Sequence, residues 1–112
     1  SVVSLVGATS VPELAALTRR AAVVLACNSL ALHLADSFAR PVVVLYSGTD
    51  YEEQWRPRRS PTHLLRRETV CSPCFRFRCP YGNECLDIEP AELVEAALSL
   101  AAPERRLIPE PA

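Results

Sequence analysis

Four cysteines within fifteen residues carry the densest chemistry in the chain: Cys71, Cys74, Cys79 and Cys85, spaced C-x2-C-x4-C-x5-C. Thiolates are soft ligands, and four of them can close the tetrahedral shell of a zinc ion. The spacing departs from the paired C-x2-C knuckles of common zinc modules. In a reducing compartment, free thiols in an ordered loop satisfy the same pattern, as do disulfides formed on later oxidation. Structural zinc, a thiol-rich loop and disulfides therefore all stay open. A fifth cysteine, Cys27, closes an apolar run and reads as a small apolar strand residue.

A second constellation surrounds that run. Val23-Val24-Leu25-Ala26 is followed by Cys27-Asn28-Ser29, then by a helix-length amphipathic segment from Leu30 to Ala39 that carries His33. Arg40-Pro41 breaks the pattern, and Val42-Val43-Val44-Leu45-Tyr46 follows. Short continuous Val/Leu runs bounded by turn residues predict strands buried on both faces, so the unit reads as a β-α-β crossover in a parallel sheet. The turn after the first strand then lies at the carboxyl edge, where open α/β sheets bind ligands. Asn28 or Ser29 stands at a helix N-terminus, whose free N–H groups and dipole favour a phosphate, and His33 lies one turn further on the same side. The plainer alternative is that Asn28 or Ser29 only caps the helix and His33 is a satisfied half-buried side chain. Ser47-Gly48-Thr49-Asp50 ends the second strand, so Thr49 and Asp50 are expected at the same crevice.

Around this unit the remaining elements fall into place. Val2 to Val6 reads as a short strand left through Gly7-Ala8-Thr9. Ser10-Val11-Pro12-Glu13 matches a capping box for a helix to about Ala21, with Pro12 in the first turn and Arg19 and Arg20 in the last. Tyr51 to Pro61 is polar, Arg-rich and proline-marked, and predicts an irregular loop around the only tryptophan, Trp55. Thr62 to Arg66 reads as another strand. Glu89-Pro90-Ala91-Glu92 opens a last helix through Leu93, Ala96, Ala97 and Leu100, whose apolar stripe closes one face of the sheet. Pro103 to Ala112 reads as a frayed tail.

Composition sets the outer bounds. With 112 residues the chain suffices for one hydrophobic core and is short for two. Net charge is −1, so no strongly charged partner is implied overall. All twelve basic residues are arginine. Seven of them fall between Arg56 and Arg78, opposed by Glu68 alone and interleaved with Trp55, Phe75 and Phe77 at the ends of the stretch. No nucleic-acid-binding motif accompanies this patch, and an anionic small molecule or glycolipid suits it at least as well. No apolar run reaches membrane-spanning length, and the first residues lack the charged start of an intact signal peptide.

The order of these pieces resembles glycosyltransferase family 9, the ADP-heptose:lipopolysaccharide heptosyltransferases. The resemblance rests on the capped helix, the Asn28-Ser29-x-x-x-His33 helix, the strand from Pro41 to Tyr46 and the Gly48-Thr49-Asp50 turn. It continues through the Cys71-Ser72-Pro73-Cys74-Phe75 loop with Cys79-Pro80 and Cys85, and the Pro90-x-Glu92 helix, and so covers about Leu5 to Ala101. It implies a GT-B fold of two Rossmann-like domains, of which this chain is similar only to the C-terminal part of the donor-binding domain. Residues 1–102 would form that partial nucleotide-sugar-binding domain, with a Cys-rich loop at 69–86, and 103–112 a tail. The fold class expected is α/β, a Rossmann-like parallel sheet with flanking helices.

The family's donor loop reads Asp-Ser/Thr-Gly-Pro-x-His. Asn28 replaces the acid, Ser29 and His33 match, Leu30 stands for the glycine and Ala31 for the proline. Thr9 and Ser10 resemble positions bordering the base, and Thr49 and Asp50 resemble a Pro-Thr-Asp turn. The resemblance implies a nucleotide diphosphate sugar of the ADP-heptose type as donor and a glycan or glycolipid as acceptor. It implies no required cofactor and no nucleic acid, and places the work in the bacterial cytoplasm at the inner face of the membrane. The family's catalytic base lies in the acceptor domain. On this reading the chain holds no catalytic residue and needs a missing N-terminal domain or self-association. The alternative is a non-catalytic α/β interaction module built on the four-cysteine loop, favoured by Leu30, whose side chain stands where close backbone approach to a ligand asks for glycine.

Overall fold

The computed structural model describes residues 1–101. Ser10 ends the extended lead-in and starts α1, Val11–Arg20. Its hydroxyl accepts the Glu13 N–H at 3.3 Å, while Glu13 Oε1 accepts the Ser10 N–H at 2.9 Å and the Ser10 hydroxyl at 2.8 Å. This is the reciprocal capping box that the sequence predicts, and the Ser10 backbone bond followed by its hydroxyl holds the Glu13 carboxyl below the usual carboxylate range.

Three parallel strands follow in the spatial order β1-β2-β3: β1 is Val24–Cys27, β2 is Val42–Tyr46 and β3 is Thr62–Arg66. Cys27 lies opposite Leu45, and Tyr46 opposite Arg66. The crossover from β1 to β2 is α2, Leu30–Ser37. It stops at Phe38 because Ala39 turns left-handed at φ 53°, which lets the Ala39 N–H reach Asp36 O at 3.0 Å and the Arg40 N–H reach Ala35 O at 2.9 Å. That double bond is a Schellman termination, and Pro41 bars any continuation.

Period-two alternation splits β2 between two layers. Val42, Val44 and Tyr46 pack with Ala26, Leu32 and Ala35 beneath α2, while Val43 packs with Ala96 and Leu100 of the last helix, Pro90–Leu100. Full burial of each such valine stabilises the fold by about 1.5–3 kcal/mol, which explains the unbroken apolar run at the sheet's centre. The Rossmann-like α/β arrangement expected from the sequence is therefore what the chain adopts.

Three expectations are corrected. Residues 2–6 form no strand: a strand needs a partner ladder, none among the described residues lies beside them, and Val2 and Val6 are exposed. β1 is buried on one face only, because the last helix covers β2 and β3, and Leu25 and Cys27 are consequently exposed. The connection from β2 to β3 is not wholly irregular. It contains one helical turn, α3, Glu52–Trp55, and the Pro90–Leu100 helix is α4.

That connection is fixed to α2 by a single carboxylate. Asp36 Oδ2 accepts the Arg58 N–H at 3.0 Å, and Oδ1 accepts the N–H groups of Arg59 at 2.7 Å and Ser60 at 2.9 Å. The predicted tail at 103–112 lies outside the described residues. Among the described residues no helix is long and apolar enough to cross a membrane.

Candidate functional site

All three strands are parallel, so their carboxyl ends open on one edge. Cys27-Asn28-Ser29, Ser47-Gly48-Thr49-Asp50 and the segment after Arg66 leave the sheet there. Ser29 is the N-cap of α2 in extended conformation, yet its hydroxyl makes no capping bond. The plain capping alternative is therefore not what Ser29 does: its hydroxyl and the N–H groups of Leu30 and Ala31 stand open at the edge, while the Leu32 N–H already donates to the Ser29 carbonyl at 3.2 Å. Leu30 beside it is half exposed and outside the core.

His33 follows one turn later on the same helix side, exposed rather than buried. Its ring lies 6.3 Å from that of Trp55, tilted by 60°. Trp55 reaches it because α3 brings the β2–β3 connection back over α2. Nothing local in the sequence joins residues 33 and 55, so this neighbour was not foreseen.

Thr49 and Asp50 sit at the end of β2. The Thr49 hydroxyl shares a 2.8 Å hydrogen bond with that of Ser47, and its carbonyl accepts the Phe75 N–H at 2.9 Å. The Gly48 carbonyl likewise accepts the Cys74 N–H at 2.9 Å. These two bonds dock the Cys-rich loop on the β2 turn. The missing side chain at Gly48 gives Ser72 its place at the contact: a Cβ there would overlap Ser72 Oγ and lie 3.4 Å from Cys85 Cβ. Thr9 is half buried ahead of α1, and Ser10 is engaged with Glu13; neither is hydrogen-bonded to the Asn28–His33 or Thr49–Asp50 segments.

Cys71, Cys74, Cys79 and Cys85 all line one cavity of about 370 Å³ at this edge, and Cys27 of β1 joins them. Each is a free thiol. Cys27 is thus not the buried apolar residue its run implied: it is exposed, because α4 packs chiefly on β2 and β3 rather than on β1. Although the thiols share a cavity, among the described residues no three His, Cys, Asp or Glu side chains gather closely enough to hold a metal ion.

A charged cluster that the sequence hid lies behind the edge. Arg66, ending β3, pairs with Glu52 of α3, both side chains largely buried. Tyr46, opposite Arg66 in the register, is 2 % exposed, and its buried hydroxyl has no hydrogen-bond partner. Burial, and then the Glu52 carboxylate, push the Tyr46 phenol above its ordinary value.

The site thus combines an open helix N-terminus, an exposed histidine beside tryptophan and a threonine-aspartate turn on one sheet edge. A family model for glycosyltransferase family 9 (heptosyltransferase) matches residues 1–84. The chain belongs to that family. The match takes in α1, all three strands and the first three clustered cysteines; it stops before Cys85 and α4. No curated protein and no solved structure matches the chain.

Proposed function

We propose that this family 9 chain is the donor-binding part of a glycosyltransferase that moves a heptose or related sugar from a nucleotide diphosphate to a glycan or glycolipid acceptor. The observation that carries the reading is the N-terminus of α2: an uncommitted Ser29 hydroxyl and the free N–H groups of Leu30 and Ala31, with His33 one turn along, on the ligand-binding edge of a parallel sheet.

In that role the amides, Ser29 and a ring N–H of His33 donate to the diphosphate. Negative charge builds on it as the glycosidic bond to the sugar breaks, and preorganised donors lower that barrier. Asn28, an amide where an acid would repel the diphosphate, fits the same anion. Thr49 and Asp50 face the sugar side from the β2 turn, Thr9 and Ser10 border the base, and Leu30 shapes the wall beside the phosphates. The catalytic base comes from an acceptor domain outside this chain, working on the cytoplasmic side of a bacterial membrane in lipopolysaccharide synthesis.

Calorimetric titration of ADP, UDP and GDP into the full-length protein tests this. Binding of one diphosphate that weakens at least tenfold in the Ser29→Ala/His33→Ala variant supports the assignment. Unchanged affinity in that variant removes it.

A second reading, a non-catalytic interaction module, is favoured by one observation: all five thiols line a single cavity. Zinc retained stoichiometrically by a protein that binds no nucleotide would support it, with the loop closing around the ion from the open arrangement described above.

A further inference from the structure

Beyond the cavity, the Cys-rich loop ends in a tip of alternating aromatic and basic residues, Phe75-Arg76-Phe77-Arg78. Phe77 is fully exposed at 108 %, Phe75 is 60 % exposed, and Tyr81 at 63 % and Leu86 at 59 % stand near them. These side chains adjoin one another: Phe77, Tyr81, Leu86 and Arg76 border the thiol cavity, and Phe75, Arg76 and Phe77 border a neighbouring groove of about 380 Å³.

The arginines of this tip differ from the rest of the Arg-rich stretch. Arg66 is paired with Glu52, Arg56 with Glu53, and Arg67 donates through Nε and Nη2 to the Asp87 carbonyl at 2.9 and 2.8 Å. Arg58 and Arg59 donate to the carbonyls of Glu53 and Ser37. Arg76 and Arg78 alone in this stretch make no hydrogen bond or ion pair among the described residues. Glu84 and Asp50 line the same cavity and groove as Arg76, but among the described residues neither forms an ion pair with Arg76 or Arg78, which leaves both guanidinium groups open to a phosphate.

An apolar tip of this kind, interleaved with free guanidinium groups, matches two layers at once. The rings suit the boundary between acyl chains and headgroups, and the guanidinium groups suit phosphate oxygens just above it. We infer that the Phe75–Arg78 tip, with Tyr81 and Leu86, docks on the surface of a bilayer containing anionic phospholipid. The Phe75 ring meets Tyr51 edge-on at 5.6 Å, so these rings present no parallel faces for a run of bases, and no nucleic-acid-binding motif accompanies them. The groove beside the tip is also lined by Thr49 and Asp50, so the tip adjoins the proposed donor site, but vesicle binding needs no nucleotide and is read separately from donor affinity.

Co-sedimentation of the full-length protein with phosphatidylcholine vesicles, with and without phosphatidylglycerol, tests it. Binding is expected only with phosphatidylglycerol present and is expected to fall as salt rises. Arg76→Ala and Arg78→Ala should each weaken it about fivefold, and Phe77→Ala about tenfold. All three positions are exposed, and unchanged far-UV circular dichroism of each variant confirms the fold. Absence of binding to the anionic vesicles overturns the inference. So does binding that all three variants retain, which would place the contact elsewhere, or single-stranded RNA binding lost in the same variants without any vesicle binding.

Discussion

Gly48 and Ser72 meet so closely that a Cβ on Gly48 would overlap the Ser72 hydroxyl. Ser72 is held in place by a 3.0 Å hydrogen bond between its hydroxyl and that of Thr69. Gly48→Ala must therefore rotate Ser72 away and break that bond, or lift the Cys-rich loop off the β2 turn. The expected loss is about 1–3 kcal/mol by chemical denaturation. Ser72→Ala in the same background removes the overlapping oxygen and leaves only ordinary contacts, so the double variant should recover most of the loss. A double variant no more stable than Gly48→Ala alone would show that Ser72 is not the obstacle.

Asp36 gives stability a dependence on acid. Burial raises its pKa, but the N–H groups of Arg58, Arg59 and Ser60, with the Ser60 hydroxyl, outweigh that and hold the carboxyl below its ordinary value of 3.8. A folded-state pKa lowered this way contributes stability that is complete above the unfolded value and disappears as pH falls through the folded one. Asp36→Ala should cost about 1–2 kcal/mol at pH 7. The gap to the wild type should narrow progressively below about pH 4. A gap constant down to pH 2 would mean that the clamp does not act through the ionised carboxylate.

Ala39 holds a left-handed conformation that glycine adopts freely. Ala39→Gly is therefore expected to raise stability by about 0.5–1 kcal/mol, read as an increased denaturation midpoint with unchanged slope. A loss on this substitution would contradict the Schellman termination of α2.

What the sequence made legible was local. The capping box of α1 lies within four residues, and the unbroken apolar run of β2 needs only its own composition, so both were found where they stand. That Ser29 and His33 share one turn of one helix was readable for the same reason, their role at a donor being a proposal. Residues joined across the fold were not: Asp36 reaches partners 22 to 24 positions away, and Glu52 and Arg66 are 14 apart. Val2 to Val6 and β1 failed differently. Their apolar character is real, but whether it is buried depends on which strand and helix lie alongside, and α4 packs chiefly on β2 and β3.

Tyr46 and Arg66 mark the strongest conflict between composition and environment. The Tyr46 hydroxyl and Arg66 Nε are both buried without partners, although Arg66 also carries the ion pair to Glu52. A buried polar group left unsatisfied costs about 1–3 kcal/mol, so Tyr46→Phe, which keeps the ring and deletes the hydroxyl, should stabilise the fold by about 1 kcal/mol. Loss of stability would reveal a partner for that hydroxyl. The phenol's raised pKa adds a second readout. Its contribution is complete below the unfolded value near 10 and is lost as pH rises through the folded one, so Tyr46→Phe should also extend stability further into alkali. Glu52→Gln should act in the opposite sense. It strands the Arg66 guanidinium, whose side chain is only 15 % exposed, and is expected to cost about 1–3 kcal/mol, whereas replacing both partners by Gln and Met should cost less than the single change. Equal losses from the single and double variants would mean that the packing of Arg66, rather than its charge, is what β3 needs at the edge of the site.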